Sequence, residues 1–253
     1  MCRLFGLIAN KEVDIRFSML EARNKFKEQG RTNYHGWGIG WYEKGRAKIE
    51  KYGESAFTSN RFDNLVKELT SRIFIAHVRL ASSGSRADKN AHPFLYKNWL
   101  FAHNGTINCD KMLRKLLIEP YSKNFTSEPI DSEIYFRFII QNIEKEGDII
   151  QGIKNAVKIV VPGASGANFI LSDGESIYGF KYGKELYFLS RDPNSLSSTS
   201  KVTGALIESK RLLDEKAVII ASEKLTDERW QEVKEGELII VNSKLEIRRE
   251  VLL

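Results

Sequence analysis

Cysteine is nearly absent from this chain: Cys2 and Cys109 are the only two in 253 residues. Two are too few for a disulfide framework and make a poor metal set, which leaves burial or thiol chemistry for each. Histidine is scarce too, and no spacing among the four gathers ligands for a metal. No apolar run approaches the ~20 residues of a membrane span. The stretch Cys2–Ala9 is too short for the apolar region of a signal peptide and is followed by charges. Phosphate-binding loops, zinc spacings, RNA-binding aromatic motifs, internal repeats and low-complexity tracts are all missing. These absences predict a cytoplasmic protein that needs no membrane, metal or other cofactor.

What is present fits a globular domain. A 42% hydrophobic fraction excludes a disordered chain, and the length allows one large domain or two small ones. The net charge is +6, but Lys and Arg are interleaved with Asp and Glu. The densest basic run, Arg23–Arg31, reads as the solvated face of a helix and not as a phosphate-binding stripe. No nucleic-acid partner is expected, and nucleic-acid binding stands as the least favoured alternative.

The hydrophobic pattern predicts a strand over 2–9 and a helix over 12–29 with Phe17, Leu20 and Phe26 inward. A hairpin over 36–43 and 47–52 should turn at Lys44-Gly45. A helix is expected at 60–70. The strand at 72–79 should place Phe74, Ala76 and Val78 on one face and His77 and Arg79 on the other. A polar loop over 82–93 leads to a strand at 98–103. Helices follow near 108–117, 131–145 and 148–159, then strands at 166–172, 175–181 and 185–190. The Ser-rich stretch 191–215 reads as a long connection with room for a short helix, before strands at 217–222, 236–242 and 245–250. Antiparallel pairs with clustered helices make this α+β, and no linker divides the chain, so residues 1–253 are expected to form a single domain.

Cys2 follows the initiator Met1 directly. Cys is small enough for that Met to be removed, which would leave a thiol and a free α-amine on one residue. A thiol pKa of about 8.5 and an α-amine pKa of about 7.7–8.0 both lie near working pH, so the amine could serve as base to the nucleophile. Four more segments stand out: His77-Val78-Arg79 through Ser82-Ser83-Gly84; His92-Pro93 with His103-Asn104-Gly105; Asp131-Ser132-Glu133; and His35-Gly36-Trp37-Gly38-Ile39-Gly40. Singly, each has an ordinary reading. Arg79 could be a surface ion-pair residue, Asn104-Gly105 a turn, Asp131 a helix cap, and the glycines close strand packing.

Together, in this order and spacing, these segments resemble the type-2 glutamine amidotransferase domain, an N-terminal nucleophile hydrolase, over most of the chain. The closing segment Ala221-Ser222-Glu223-Lys224-Leu225, with Trp230 and Gly236-Glu237-Leu238, is similar to the standalone YafJ-like branch. The resemblance implies a four-layer αββα sandwich. It also implies that Cys2 attacks the side-chain amide of glutamine through a γ-glutamyl thioester, with Asn104 and Gly105 as oxyanion donors. Arg79 would hold the substrate α-carboxylate and Asp131 its α-ammonium, with Gly105 and Ser82 as further substrate contacts. His77, His92 and His103 read as structural hydrogen-bonding residues, and Trp37, Trp41 and Tyr42 as core or cleft wall.

The chain departs from the family in two places. Many relatives carry Trp and His after the catalytic Arg, where Leu80 and Ser83 stand here. Some relatives place an Asp between the His and Gly-Trp-Gly, whereas His35 adjoins Gly36 directly. Expected partners are glutamine or another γ-glutamyl compound, with a separate synthase subunit to accept ammonia as an option. Two alternatives stay open: hydrolysis of γ-glutamyl peptides, and a non-catalytic glutamine sensor.

Overall fold

The computed structural model describes residues 2–81, 84–125, 128–192 and 215–253. In chain order its strands are β1 (Arg3–Val13), β2 (Gly36–Glu43), β3 (Arg46–Tyr52), β4 (Ser71–Arg79), β5 (Phe94–Tyr96), β6 (Trp99–Ile107), β7 (Ala164–Ser172), β8 (Ile177–Phe180), β9 (Tyr187–Arg191), β10 (Ala217–Ala221), β11 (Gln231–Glu232), β12 (Glu237–Val241) and β13 (Ile247–Val251). The helices are α1 (Phe26–Gln29), α2 (Asn60–Glu68), α3 (Asp110–Leu116), α4 (Asp131–Glu146) and α5 (Ile149–Val160). The strands form two antiparallel sheets, one in the order β11-β9-β10-β1-β4-β2-β3 and the other in the order β13-β12-β8-β7-β6-β5.

Strand alternation sorts the side chains into three apolar layers. Leu4 and Ile8 of β1 and Ile73 and Ile75 of β4 meet Leu100, Ala102 and Ile170 of the other sheet. On the outer face of the first sheet, Phe5, Ala76 and Val78 pack with Phe26 and with Phe62 and Val66 of α2. On the outer face of the second sheet, Phe101 and Phe169 pack under Phe136, Ile140, Ile153 and Val157 of α4 and α5. The layers therefore run αββα, as the resemblance implied. Among the described residues no helix is long and apolar enough to cross a membrane.

The expected helix over 12–29 is broken. Strand β1 runs on to Val13, one wide helical turn spans Phe17–Glu21, and α1 is a single turn. Ile15, Met19, Ala22 and Phe26 keep helical spacing and are buried. The backbone is pulled out of the helix at Asn24, whose N–H donates to Leu225 O and whose side-chain amide donates to Lys224 O. A contact with the far end of the chain thus overrides the local periodicity. The hairpin turns at Lys44-Gly45 as expected. The short strands β5 and β11 carry too few residues to show an alternation. The predicted connection at 191–215 falls largely outside the described residues.

Candidate active site

Strand β1 lies between β10 and β4, and its first residue, Arg3, pairs with Val78. That register sets Cys2 against the end of β4. The Leu80 N–H donates to Cys2 Sγ at 3.3 Å, and the thiol reaches the Leu80 carbonyl at the same distance. Burial pushes the Cys2 thiol pKa up, while the Leu80 N–H and then the Arg79 charge pull it down. The half-buried thiol thus sits beside a donor and a cation that favour the thiolate, against a desolvation that outweighs them.

Arg79 ends β4 and is 3% exposed, not the surface residue its position alone suggested. Its Nη1 donates to Ser85 O at 3.0 Å. Burial lowers its pKa, and the charges of Cys2 and Asp131 oppose that shift, so one guanidinium interacts with both. Asp131 is the first residue of α4, where the helix dipole favours an anion. Its Oδ2 accepts from the Ile107 N–H at 2.9 Å, which ties the helix to the end of β6.

Asn104 and Gly105 sit within β6 and not in a turn. Asn104 is buried and pairs with Asn168 on β7. A Cβ on Gly105 would lie 1.8 Å from the Gly166 carbonyl oxygen, so only glycine fits. His103 organises this region. Its Nε2–H donates to Gly166 O at 3.3 Å, which leaves Nδ1 to accept from the Ser132 hydroxyl at 2.9 Å. His77 Nε2–H crosses between the sheets to His103 O at 3.2 Å. Burial, with Arg79 and His103 adding to it, pushes the His77 pKa down to about 3. The ring of His92 lies tilted against that of His77 with centroids 4.2 Å apart. Among the described residues neither nitrogen of His92 has a hydrogen-bond partner, so His92 packs where a hydrogen-bonding role was expected. Burial drives its pKa well below the usual imidazole range. Trp37 is fully buried, and the Tyr42 hydroxyl donates toward Ser172 O at 2.9 Å, so both are structural.

The structure thus brings Cys2, Arg79 and Asp131 into one charged neighbourhood. It sets Asn104 and Gly105 on the strand joined to β4 by the His77–His103 bond. Ser82 lies outside the described residues. Sequence reasoning missed four contributors. Leu80 was read only as a departure from the family pattern, and His35 as a loop difference. Arg3 adjoins the thiol residue, and its Nη1 donates to Cys2 O at 3.3 Å while its guanidinium pairs with Glu223. Asn168 gives no signal in sequence, yet its side chain holds the 182–185 turn through Tyr182 N, Lys184 N, Lys184 O and Glu185 O. Arg3, Asn104, Lys181, Lys184, Glu223 and Glu232 line an open cavity of about 580 Å³. Among the described residues no three His, Cys, Asp or Glu side chains converge as a metal site would need.

The sequence model of the family described as class-II glutamine amidotransferases matches residues 1–248. The chain belongs to the class-II glutamine amidotransferases. MJ1515 of Methanocaldococcus jannaschii is 31% identical over 95% of this chain and 69% of its own length. YafJ of Escherichia coli, which carries a provisional glutamine amidotransferase name, is 27% identical over 94% of this chain and 96% of its own. The glutamine phosphoribosylpyrophosphate amidotransferase of Bacillus subtilis superposes with a TM-score of 0.68 at 18% identity, over all of this chain and 49% of that one. At that identity the likeness shows a shared fold, the αββα sandwich of the N-terminal nucleophile hydrolases. As a class-II amidotransferase, this chain places its family motif residues at one end of both sheets, around the start of β1.

Proposed function

We propose that this chain is a cytoplasmic amidohydrolase, one domain over residues 1–253, that hydrolyses the side-chain amide of glutamine through a thioester on Cys2. The observation that carries the reading is the Cys2 thiol held on Leu80 beside buried Arg79, whose charge also meets Asp131. Once Met1 is removed, the α-amine of Cys2 takes the thiol proton and the sulphur attacks the amide carbon. A C–S bond forms and the carbonyl electrons move to oxygen, where the Asn104 amide and the Gly105 N–H stabilise the charge. Collapse returns those electrons and breaks the C–N bond, and the nitrogen leaves as ammonia carrying the relayed proton. Water then adds to the thioester carbon, and glutamate and the Cys2 thiol are released. Arg79 pairs with the substrate α-carboxylate and Asp131 with its α-ammonium. Ser82 is kept as a further substrate contact from the family pattern alone. Ammonia passes to water or to a separate synthase subunit, and an assay without any acceptor distinguishes the two.

A second reading has its own observation. The cavity beside Asn104 and Arg3 carries side chains of both signs, with Lys181, Lys184, Glu223 and Glu232 among them. Such walls suit a zwitterionic group on the amide nitrogen, as in a γ-glutamyl peptide.

The test is to incubate the processed protein with a glutamine-like diazo ketone and map the adduct, then assay ammonia and glutamate release. An adduct on Cys2 with release from glutamine is expected. An adduct on Cys109 would refute the nucleophile. Binding without release from glutamine or any γ-glutamyl peptide would turn the reading to a sensor.

A further inference from the structure

His35 stands immediately before β2, whose first residue, Gly36, pairs with Arg79. It is therefore placed opposite the segment that follows β4. Its backbone N–H donates to Arg79 O at 2.9 Å. Its ring Nδ1 accepts from the Ala81 N–H, also at 2.9 Å. One residue thus grips both sides of Leu80, and Leu80 is the residue that holds the Cys2 sulphur through its N–H and its carbonyl. We propose that His35 is a positioning residue for the Cys2 nucleophile, acting through the main chain of residues 79–81.

The chemistry of the imidazole fits that task. Only a neutral ring with its proton on Nε2 can accept at Nδ1. Burial lowers the His35 pKa, and Arg86 and Arg79, the charged groups that face it, add to the shift. The Tyr34 ring meets the imidazole edge-on with centroids 4.6 Å apart, and the Arg86 guanidinium lies 4.7 Å from the Tyr34 ring centre. The Tyr34 edge contact and the Ala81 N–H bond together orient the ring, and hence the Nδ1 lone pair. The Leu80 N–H favours the thiolate, and the Leu80 carbonyl favours the protonated thiol. The reactivity of the sulphur therefore depends on where His35 sets that one peptide segment.

The proposal rests on Cys2 being the nucleophile, and its test reads the sulphur directly. Cys2 is alkylated with iodoacetamide and the rate followed by mass spectrometry, with Cys109 in the same molecule as internal control. In His35→Leu the Cys2 rate should change at least threefold, because the Leu80 N–H is no longer held in place at the sulphur. His35→Asn, whose Oδ1 falls near the position of Nδ1, should stay within threefold of wild type. Cys109 should be unaffected in both. If glutamine is the substrate, kcat falls at least tenfold in His35→Leu and is restored to within threefold by His35→Asn. A Cys2 rate in His35→Leu within threefold of wild type overturns the proposal, as does an Asn variant that tracks the Leu variant. Should His35→Leu fail to fold, His35→Gln takes its place. Its oxygen lies one bond too far, so it should depart from wild type, and a Gln variant that matches the Asn variant also overturns the proposal. The alkylation result stands whether or not glutamine is turned over, so failure of the substrate assignment is separable from failure of the His35 assignment.

Discussion

His77 donates a hydrogen bond from Nε2 to the main-chain oxygen of His103, 3.2 Å away on the opposite sheet. The bond joins β4 two residues before Arg79 to β6 one residue before Asn104. The Nε2–H donor exists in the neutral ring, so the bond adds no charge to the core. His77, His92 and His103 are all buried, and burial lowers the pKa of each.

Acid should therefore weaken the fold before the carboxylates are protonated. The folded pKa values lie below the unfolded value of about 6.5, so the unfolded chain takes up protons first as pH falls. The stability these residues contribute is complete above that value and is lost as pH drops toward the folded value, about 3 for His77. Between pH 6.5 and 5.5 the His77 imidazole should cost about 1 kcal/mol, and the lowered pKa values of His92 and His103 add to the loss in the same direction. Urea unfolding at the two pH values measures this, and a change below about 1 kcal/mol would contradict it. His92→Phe should flatten the slope.

Cys2→Ala should abolish release of ammonia and leave glutamine binding within about threefold, measured by calorimetry, because the proposed holders of the substrate α-end are Arg79 and Asp131 and not the sulphur. Residual turnover above about one part in a thousand would mean that another group attacks the amide.

Asn104→Ala and Asp131→Asn should separate kcat from KM. Loss of one oxyanion donor should lower kcat by about 10²–10³-fold with KM little changed. Asp131→Asn keeps an oxygen for the Ile107 N–H but removes the charge that pairs with an ammonium. KM should rise by roughly 10–100-fold with kcat retained. Equal effects of both variants on kcat alone would remove Asp131 from substrate recognition.

Two glycine substitutions should differ sharply. Gly45 has a φ of +74° with open space around its missing side chain, so Gly45→Ala bears only the left-handed backbone cost of about 1–2 kcal/mol. Gly105→Ala must push the β7 backbone away at Gly166, and should lower Tm by more than about 8 °C, or prevent folding. Thermal unfolding of the two proteins side by side decides it.

Much of this site was legible because its residues are fixed to strand ends by spacing. Arg79 closes a strand whose alternation is plain, and Asn104-Gly105 directly follows the apolar run that predicts another. The ordinary readings failed where burial decides. Asn104-Gly105 lies within a buried strand, and Arg79 is buried, facts that no local pattern carries. The helix over 12–29 was lost to Asn24 bonding with Lys224 and Leu225, a long-range contact invisible to periodicity. The roles of Leu80 and His35 were not legible for a related reason. Leu80 acts through its backbone, which the side-chain identity does not advertise. His35 acts on a segment whose position depends on the pairing of Gly36 with Arg79.

The strand behind Cys2 has a timetable as well as a place. The Leu4 N–H is held by the Ser222 hydroxyl, 218 positions later in the chain. At about 5–20 residues per second, ribosomal synthesis takes roughly 10–40 s to span that gap. Until then β1 lacks its β10 neighbour, and the amino end is open on that side to any enzyme that trims Met1. Strand β10 thus takes its place beside β1 only after the interval in which Met1 is first exposed.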